Sequence, residues 1–202
     1  MLDDIDPSQK RQRGVIVESM PDTADILREL HETTRGGERV LIRPARPQDV
    51  SLYPDFLRDV NAEDLRLRFW ARVRELSTAE QNRLSHLDYS NEMVFIALDE
   101  DTGTMLGLVR LRNELDEINA EFAVLVRSRL KAHGIGWLLM RRMINYAKAK
   151  GLRRVYGDVL AENAAMLQMC GELGFREEDM GPEFRRVVLD LEKANSHPPA
   201  AD

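Results

Sequence analysis

Apolar and polar positions along the chain follow two rhythms, one of period two and one near 3.6, and their order outlines an architecture. Arg39-Val40-Leu41-Ile42-Arg43-Pro44 alternates and stops at a proline, which predicts a strand. The apolar stretches Glu92 to Asp99, Met105 to Leu111 and Glu117 to Val126 follow as three more strands. Asp101-Thr102-Gly103-Thr104 turns between the first two of these, and the short connections make all three antiparallel. At Gly134 the rhythm changes. Leu138, Leu139, Met143, Ile144 and Ala147 fall on one helical face through Lys150, and Gly151 sits where a left-handed stop is needed. A strand from Arg154 to Leu160, a helix from Asn163 to Leu173 and a last hairpin complete the pattern. That hairpin pairs Phe175 to Met180 with Phe184 to Leu191 around Gly181-Pro182.

Between the first and second strands the pattern is helical. Pro47 opens a helix through about Val60. Asn61-Ala62-Glu63-Asp64 caps a second, carrying Leu65, Leu67, Phe69, Trp70 and Val73. Ser77-Thr78-Ala79-Glu80 is a capping box for a third, with Leu84 and Leu87. Residues 1–37 read as an N-terminal extension or linker. It holds a polar start from Asp3 to Arg13, a short strand at Val15-Ile16-Val17, and a helix from Thr23 to Thr34 ended by Gly36-Gly37. Residues 38–192 read as one domain and 193–202 as a loose tail. The strand before Gly134 and the strand after its helix are joined by a crossover, so they should be parallel. The expected fold class is therefore α/β (α+β). Its sheet should be mixed, mostly antiparallel and twisted, with one parallel crossover and helices on both faces.

Composition narrows the function. In 202 residues, 43% are hydrophobic and 32% charged, enough for one cored domain with a soluble surface. No run is apolar for long enough to span a bilayer. Met1-Leu2-Asp3-Asp4-Ile5-Asp6 lacks the basic start and apolar run of a signal peptide. Cys170 is the only cysteine, so no intramolecular disulfide forms. The expected location is the cytoplasm. A net charge of −6 argues against broad nucleic-acid binding and favours a cationic partner such as a lysine-bearing surface. His31, His86 and His197 are scattered without metal-ligand spacing, and no metal is expected.

The candidate chemistry gathers where the strand ending at Val126 gives way to the helix at Gly134. Backbone N–H groups at a helix start have no internal partner and, with the helix dipole behind them, accommodate a phosphate. Gly134 and Gly136 let backbone approach a bulky anion. Upstream, alternation puts Glu121, Ala123 and Leu125 on one strand face. A carboxylate at Glu121 can take the proton that an ammonium must lose before its nitrogen attacks. The other reading of Glu121 is a strand-end carboxylate facing solvent or paired with an arginine. Arg66, Arg68, Arg72 and Arg74 make a basic helix face, either solvated or a wall of the substrate groove.

Lys131-Ala132-His133-Gly134-Ile135-Gly136 resembles the pyrophosphate loop (Gln/Arg)-x-x-Gly-x-(Gly/Ala) of the GNAT superfamily of acyl-CoA-dependent N-acetyltransferases, with lysine at the first position. Asn163 with Leu173-Gly174-Phe175 is similar to the family's second block. A narrower resemblance, to bacterial protein-lysine acetyltransferases of the Pat type, is carried by five stretches. These are Arg66-Leu67-Arg68-Phe69, Glu121-Phe122-Ala123-Val124, the Leu130-Lys131 pair, Val159-Leu160-Ala161-Glu162-Asn163 and Met166-Leu167-Gln168-Met169-Cys170.

The resemblance implies acetyl-CoA as donor, with its pantetheine arm along Val124, Leu125 and Val126. Lys131, Ala132, His133, Gly134, Ile135, Gly136 and Trp137 would hold the pyrophosphate, mainly through backbone N–H groups. The Trp137 indole itself reads as core. Asn163 would cap its helix and contact the cofactor, and Glu121 would be the general base. A backbone N–H near Val124 would polarise the thioester carbonyl. Many relatives carry a tyrosine acid where this chain has Cys170. The thiol is then either a proton donor beside the thioester or a small buried helix residue. The implied acceptor is a protein lysine, with an AMP-forming acyl-CoA synthetase as the candidate partner. The rival readings are a small-molecule amine or protein N-terminus as acceptor, and an acyl-CoA-binding regulatory module without turnover.

Overall fold

The computed structural model describes residues 23–69, 90–116 and 118–191. Its frame is one eight-stranded sheet. The strands are β1 (Leu30–Thr33), β2 (Arg39–Pro44), β3 (Glu92–Asp99), β4 (Met105–Asn113), β5 (Asn119–Val126), β6 (Arg154–Leu160), β7 (Arg176–Asp179) and β8 (Phe184–Asp190). They lie in the order β1-β2-β3-β4-β5-β6-β8-β7, antiparallel throughout except for the β5–β6 pair. The helices are α1 (Thr23–Ile26), α2 (Tyr53–Arg58), α3 (Ala62–Phe69), α4 (Ile135–Ala149) and α5 (Ala164–Glu172).

Helices cover both faces, as the apolar pattern predicts. Six consecutive residues of β3, Met93 to Leu98, are buried, which marks it as a central strand with two covered sides. On one side Phe95, Val109 and Phe122 pack with Leu139, Met140 and Met143 of α4. On the other, Val94, Ile96 and Leu125 pack with Phe56 and Leu65 of α2 and α3. At the edge of this second core a buried ion pair ties β2 to the turn after it. Asp49 accepts from Arg43 Nη1 and Nη2 at 2.7 and 2.8 Å and from the Arg46 N–H at 2.6 Å. Both side chains are under a tenth exposed.

Two local expectations are corrected. Thr23 to Thr34 is not one helix: it makes the short turn α1 and then the strand β1. Ile26 and Leu30 have helical spacing, but Leu30 to Thr33 gain a full ladder by pairing with Ile42 to Arg39. Tertiary pairing overrides a weak helical preference here. The sheet thus begins at Leu30, ahead of the boundary read at residue 38, and Ile26 is already in the main core. The expected helix from Pro47 splits into a 3₁₀ turn, Pro47–Leu52, and α2. The strand at Val15-Ile16-Val17, the helix positions Trp70 and Val73, the Ser77 capping box with Leu84 and Leu87, and residues 193–202 lie outside the described residues.

The β5–β6 pair is short. Its register runs only through Asn119↔Arg154, Ala120↔Val155 and Glu121↔Tyr156. The next pair would be Phe122 and Gly157. A Cβ on Gly157 would stand 2.8 Å from Phe122 Cε1, so the phenyl ring occupies the space a side chain would need. Phe122 is itself held edge-on by Phe175, with ring centroids 5.3 Å apart. Beyond this wedge β5 stays with β4 as far as Val126, and β6 stays with β8 as far as Leu160. The strands part, and the gap between them is the candidate site.

Candidate active site

The gap opens into a cleft of about 950 Å³. Its floor is β5 from Glu121 to Val126. Amide directions along that strand follow from its hydrogen bonds to β4. Glu114 N–H donates to Asn119 O, and Arg127 N–H donates to Leu106 O, with an unbroken register between them. Odd-numbered residues therefore face β4, and Val124 and Val126 turn their N–H and C=O groups to the open edge. An open strand edge can pair with the amides of an extended ligand as it would with another strand.

One end of the cleft is the glycine loop. The chain makes a 3₁₀ turn over Ser128–Leu130, extends at Lys131, and then takes positive φ at Ala132 (64°) and Gly134 (97°). A positive φ is uncommon for alanine. The loop ends there, and α4 starts at Ile135. The first helical bond is from Leu138 N–H to Gly134 O. The N–H groups of Ile135, Gly136 and Trp137 precede it and have no helical acceptor. A glycine-rich turn opening a helix whose first N–H groups lack helical acceptors is the backbone arrangement expected from the sequence.

Most residues singled out in the sequence come together here. Glu121, Val124, Leu125, Val126, Lys131, Ala132, Gly134, Gly136, Trp137 and Asn163 all line the cleft. Asn163 also caps α5, its side-chain oxygen accepting from Met166 N–H at 3.2 Å. The side chains of Ile135 and His133 are placed differently. Ile135 is fully buried in the core. His133 turns to a Glu38 carboxylate on the β1–β2 turn. Lys131 does not extend free into the cleft. Its ammonium pairs with Asp64, a buried carboxylate of α3 that also accepts from Ser128 Oγ.

Cys170 is a clear departure from a thioester neighbour. It lies fully buried in the core and is not among the cleft-lining residues. Burial, with a smaller contribution from Glu177, pushes its thiol up to about 12. A thiol so held is a poor thiolate source. At pH 8 iodoacetamide should leave Cys170 of the folded protein unmodified, as mass spectrometry would read. The Cys170→Ala variant should keep its turnover, and a loss of a hundredfold would return the thiol to the chemistry.

Glu121 is half-buried and bonded to Arg112, whose Nη2 donates to Oε2 at 2.7 Å. An arginine partner is the alternative read from the sequence, and it coexists with a place on the cleft wall. Across the splay sits Tyr156, whose hydroxyl donates to Glu114. Burial, the Glu114 bond and the charges of Glu114 and Glu121 push that phenol up to about 12.

Several pairings around the site carry no signal in the linear sequence. Arg66 of α3, read from the sequence as part of a basic face, bonds both Glu63 on its own helix and Glu162 after β6, contacts that raise the arginine pKa. Asp158 receives both arms of Arg186, at 2.7 and 2.8 Å. Arg35 and Arg141 also line the cleft. The partners in these pairs lie far apart in sequence, so only the fold could bring them together. Of the remaining basic positions, the Arg68 side chain, Arg72 and Arg74 lie outside the described residues.

A sheet opened at its one parallel pair, with a glycine loop and helix start at one end of the cleft, defines a class. Residues 56–175 match the Acetyltransferase (GNAT) family, and the chain belongs to it. It is 32% identical over 146 residues to an acetyltransferase of Pseudomonas aeruginosa, covering 71% of this chain and 78% of that one. It is 30% identical over 156 residues to acetyltransferase Pat of Mycolicibacterium smegmatis, covering 76% of this chain but 46% of that longer protein. Among solved structures, the GNAT domain of S. lividans PAT superposes with a TM-score of 0.75 at 23% identity. That match covers 81% of this chain and 97% of the other. Among the described residues no helix is long and apolar enough to cross a membrane.

Proposed function

We propose that this chain is an acetyl-CoA-dependent N-acetyltransferase acting in the cytoplasm on lysine side chains of a protein, with an AMP-forming acyl-CoA synthetase as candidate partner. One observation carries the reading: the open edge of β5 joins Glu121 at one end to an anion-binding helix start at the other. Val124 and Val126 offer strand-edge groups to the amides of a pantetheine arm. Ala132 to Trp137 offer backbone N–H groups and positive dipole to a pyrophosphate, each charge-assisted bond contributing roughly 1.5–3 kcal/mol. The donor supplies the thioester: the amine nitrogen bonds to its carbonyl carbon, the C–S bond breaks and the thiolate leaves.

Glu121 takes the proton from the incoming ammonium, directly or through one water, so that the nitrogen lone pair is free. Val124 N–H donates to the carbonyl oxygen as negative charge grows there. Solvent reaching the cleft mouth is the proton source for the departing thiolate, since Cys170 lies in the core. A protein lysine as acceptor is supported by the Pat-type sequence blocks and by the likeness to Pat of M. smegmatis.

The test is to incubate the protein with acetyl-CoA and a purified AMP-forming acyl-CoA synthetase. Thiol release should accompany a mass gain of one acetyl group on a lysine. Release that occurs only with polyamines or other small amines would move the acceptor to that class. Tight donor binding with no release against any amine would make the protein a binding module.

A further inference from the structure

Among the described residues the cleft holds three cationic side chains, and they differ in how their charge is met. Lys131 is bound to the buried Asp64. Arg35 and Arg141 line the same cleft and have no carboxylate partner among the described residues. Other carboxylates face this space, Glu32 from β1 and Glu172 from α5, but neither pairs with these two arginines. Arg141 instead sits over the Trp137 ring, its guanidinium carbon 4.8 Å from the centroid. That contact restrains the side chain while leaving its N–H donors unused.

Arg35 is presented by the turn between β1 and β2, and that turn is pinned to the glycine loop. Glu38 bonds His133 of the loop, and Thr34 bonds Glu38. Thr34 Oγ1 also accepts from Gly36 and Glu38 N–H, each at 3.2 Å. The Arg35 backbone nitrogen stands 3.8 Å from where a Cβ on Gly134 would be, so Arg35 is anchored beside the start of α4. Arg141 lies farther along α4, about 10 Å from Gly134 at 1.5 Å per residue. From these anchors both arginine side chains line the cleft that the helix start also lines. The helix-start N–H groups already suit a pyrophosphate. The two arginines, set off to its side, suit a second and more highly charged group, a phosphate monoester that accepts bidentate forks.

We infer that Arg35 and Arg141 hold the 3′-phosphate on the ribose of the donor, so that this protein distinguishes coenzyme A from 3′-dephospho-coenzyme A. The inference rests on the acyl-CoA reading above and adds the residues that select the donor. His133 and Glu38 act through Arg35 as positioning residues, which gives the unusual loop-to-hairpin pair a purpose in the same site.

The test measures dissociation constants of coenzyme A and 3′-dephospho-coenzyme A for the full chain by calorimetry. The wild type should bind coenzyme A at least about tenfold more tightly. Arg35→Gln and Arg141→Gln should each narrow that ratio several-fold and leave the affinity for the dephospho form unchanged. Arg141→Lys, which keeps the charge but loses the fork and the ring contact, should give a ratio between those of the wild type and Arg141→Gln, and raising the salt should shrink the ratio in the wild type. A wild-type ratio near one, or a ratio that survives both glutamine variants, overturns the inference while leaving the acyl-CoA reading intact. If neither ligand binds the wild type, the acyl-CoA reading falls and takes this one with it.

Discussion

Replacing Glu121 with glutamine should leave donor affinity intact and lower kcat by roughly 10²–10⁴ at neutral pH. The amide has nearly the shape of the carboxylate and still accepts from Arg112 through its oxygen. It fits the same half-buried place on β5. What it cannot do is carry away a proton. On the proposed mechanism, Glu121 removes the proton within the site of the wild type, so turnover at pH 7 should not wait for free amine in solution. In the variant, turnover follows the unprotonated fraction of the acceptor, and rises as pH climbs toward the lysine value of about 10.4. A pH–rate profile therefore separates loss of a base from general damage, which would lower the rate equally at every pH. Calorimetry with coenzyme A supplies the control on binding. Near-normal turnover at pH 7 with a protein acceptor would remove Glu121 from the mechanism.

The largest expected effect on stability is at the other face of the sheet. Asp49→Ala removes the carboxylate that receives both arms of Arg43 and the Arg46 N–H. The Arg43 guanidinium would stay buried without its main counter-charge, a change that costs about 3–5 kcal/mol when a pair is broken from one side. Denaturant unfolding should show a midpoint shifted to match, with little change in slope. The double variant Arg43→Met, Asp49→Leu removes the charge along with its partner, and should recover most of the loss. If Asp49→Ala costs less than about 1 kcal/mol, the pair is solvated more than its burial implies.

Elements with strong local grammar were legible from the chain. Arg39 to Pro44 alternates and ends at proline. The stretch Glu92 to Val126 reads as three strands with a marked turn. Gly134 to Lys150 changes period and is stopped by Gly151. Each is found as β2, β3 to β5 and α4, within a residue or two at most ends. The strand β1 was not legible, because Leu30 to Thr33 is four residues at a sheet edge and half of it faces solvent. Nothing in that segment outweighs the helical spacing of Ile26, Leu27 and Leu30 until β2 is present to pair with it. The same holds in the cleft. Its backbone half, Val124 to Gly136, is contiguous and could be read as a unit. Its side-chain half is built from pairs such as Lys131 with Asp64 and Arg66 with Glu162, between residues that meet only after folding. Cys170 shows the converse. Its distance from Asn163 was visible, but whether its side chain met the cleft or the core depended on how α5 rolls onto the sheet.

The wedge of Phe122 against Gly157 has a further consequence for how the molecule coheres. Backbone continuity across the sheet at its parallel seam rests on three residue pairs. To one side stand β1 to β5; to the other, β6 to β8 with α5. On the acyl-CoA reading, the pantetheine arm lies along β5 in the place where β6 has moved away, and α5 closes over it. The ligand then works as a keystone, a non-protein piece that completes the span between two leaves of one sheet. Away from those three pairs the two leaves are joined by side-chain packing within one shared core, Phe122 against Phe175 included. On that reading donor binding should raise the thermal midpoint of the protein before any acetyl group is transferred.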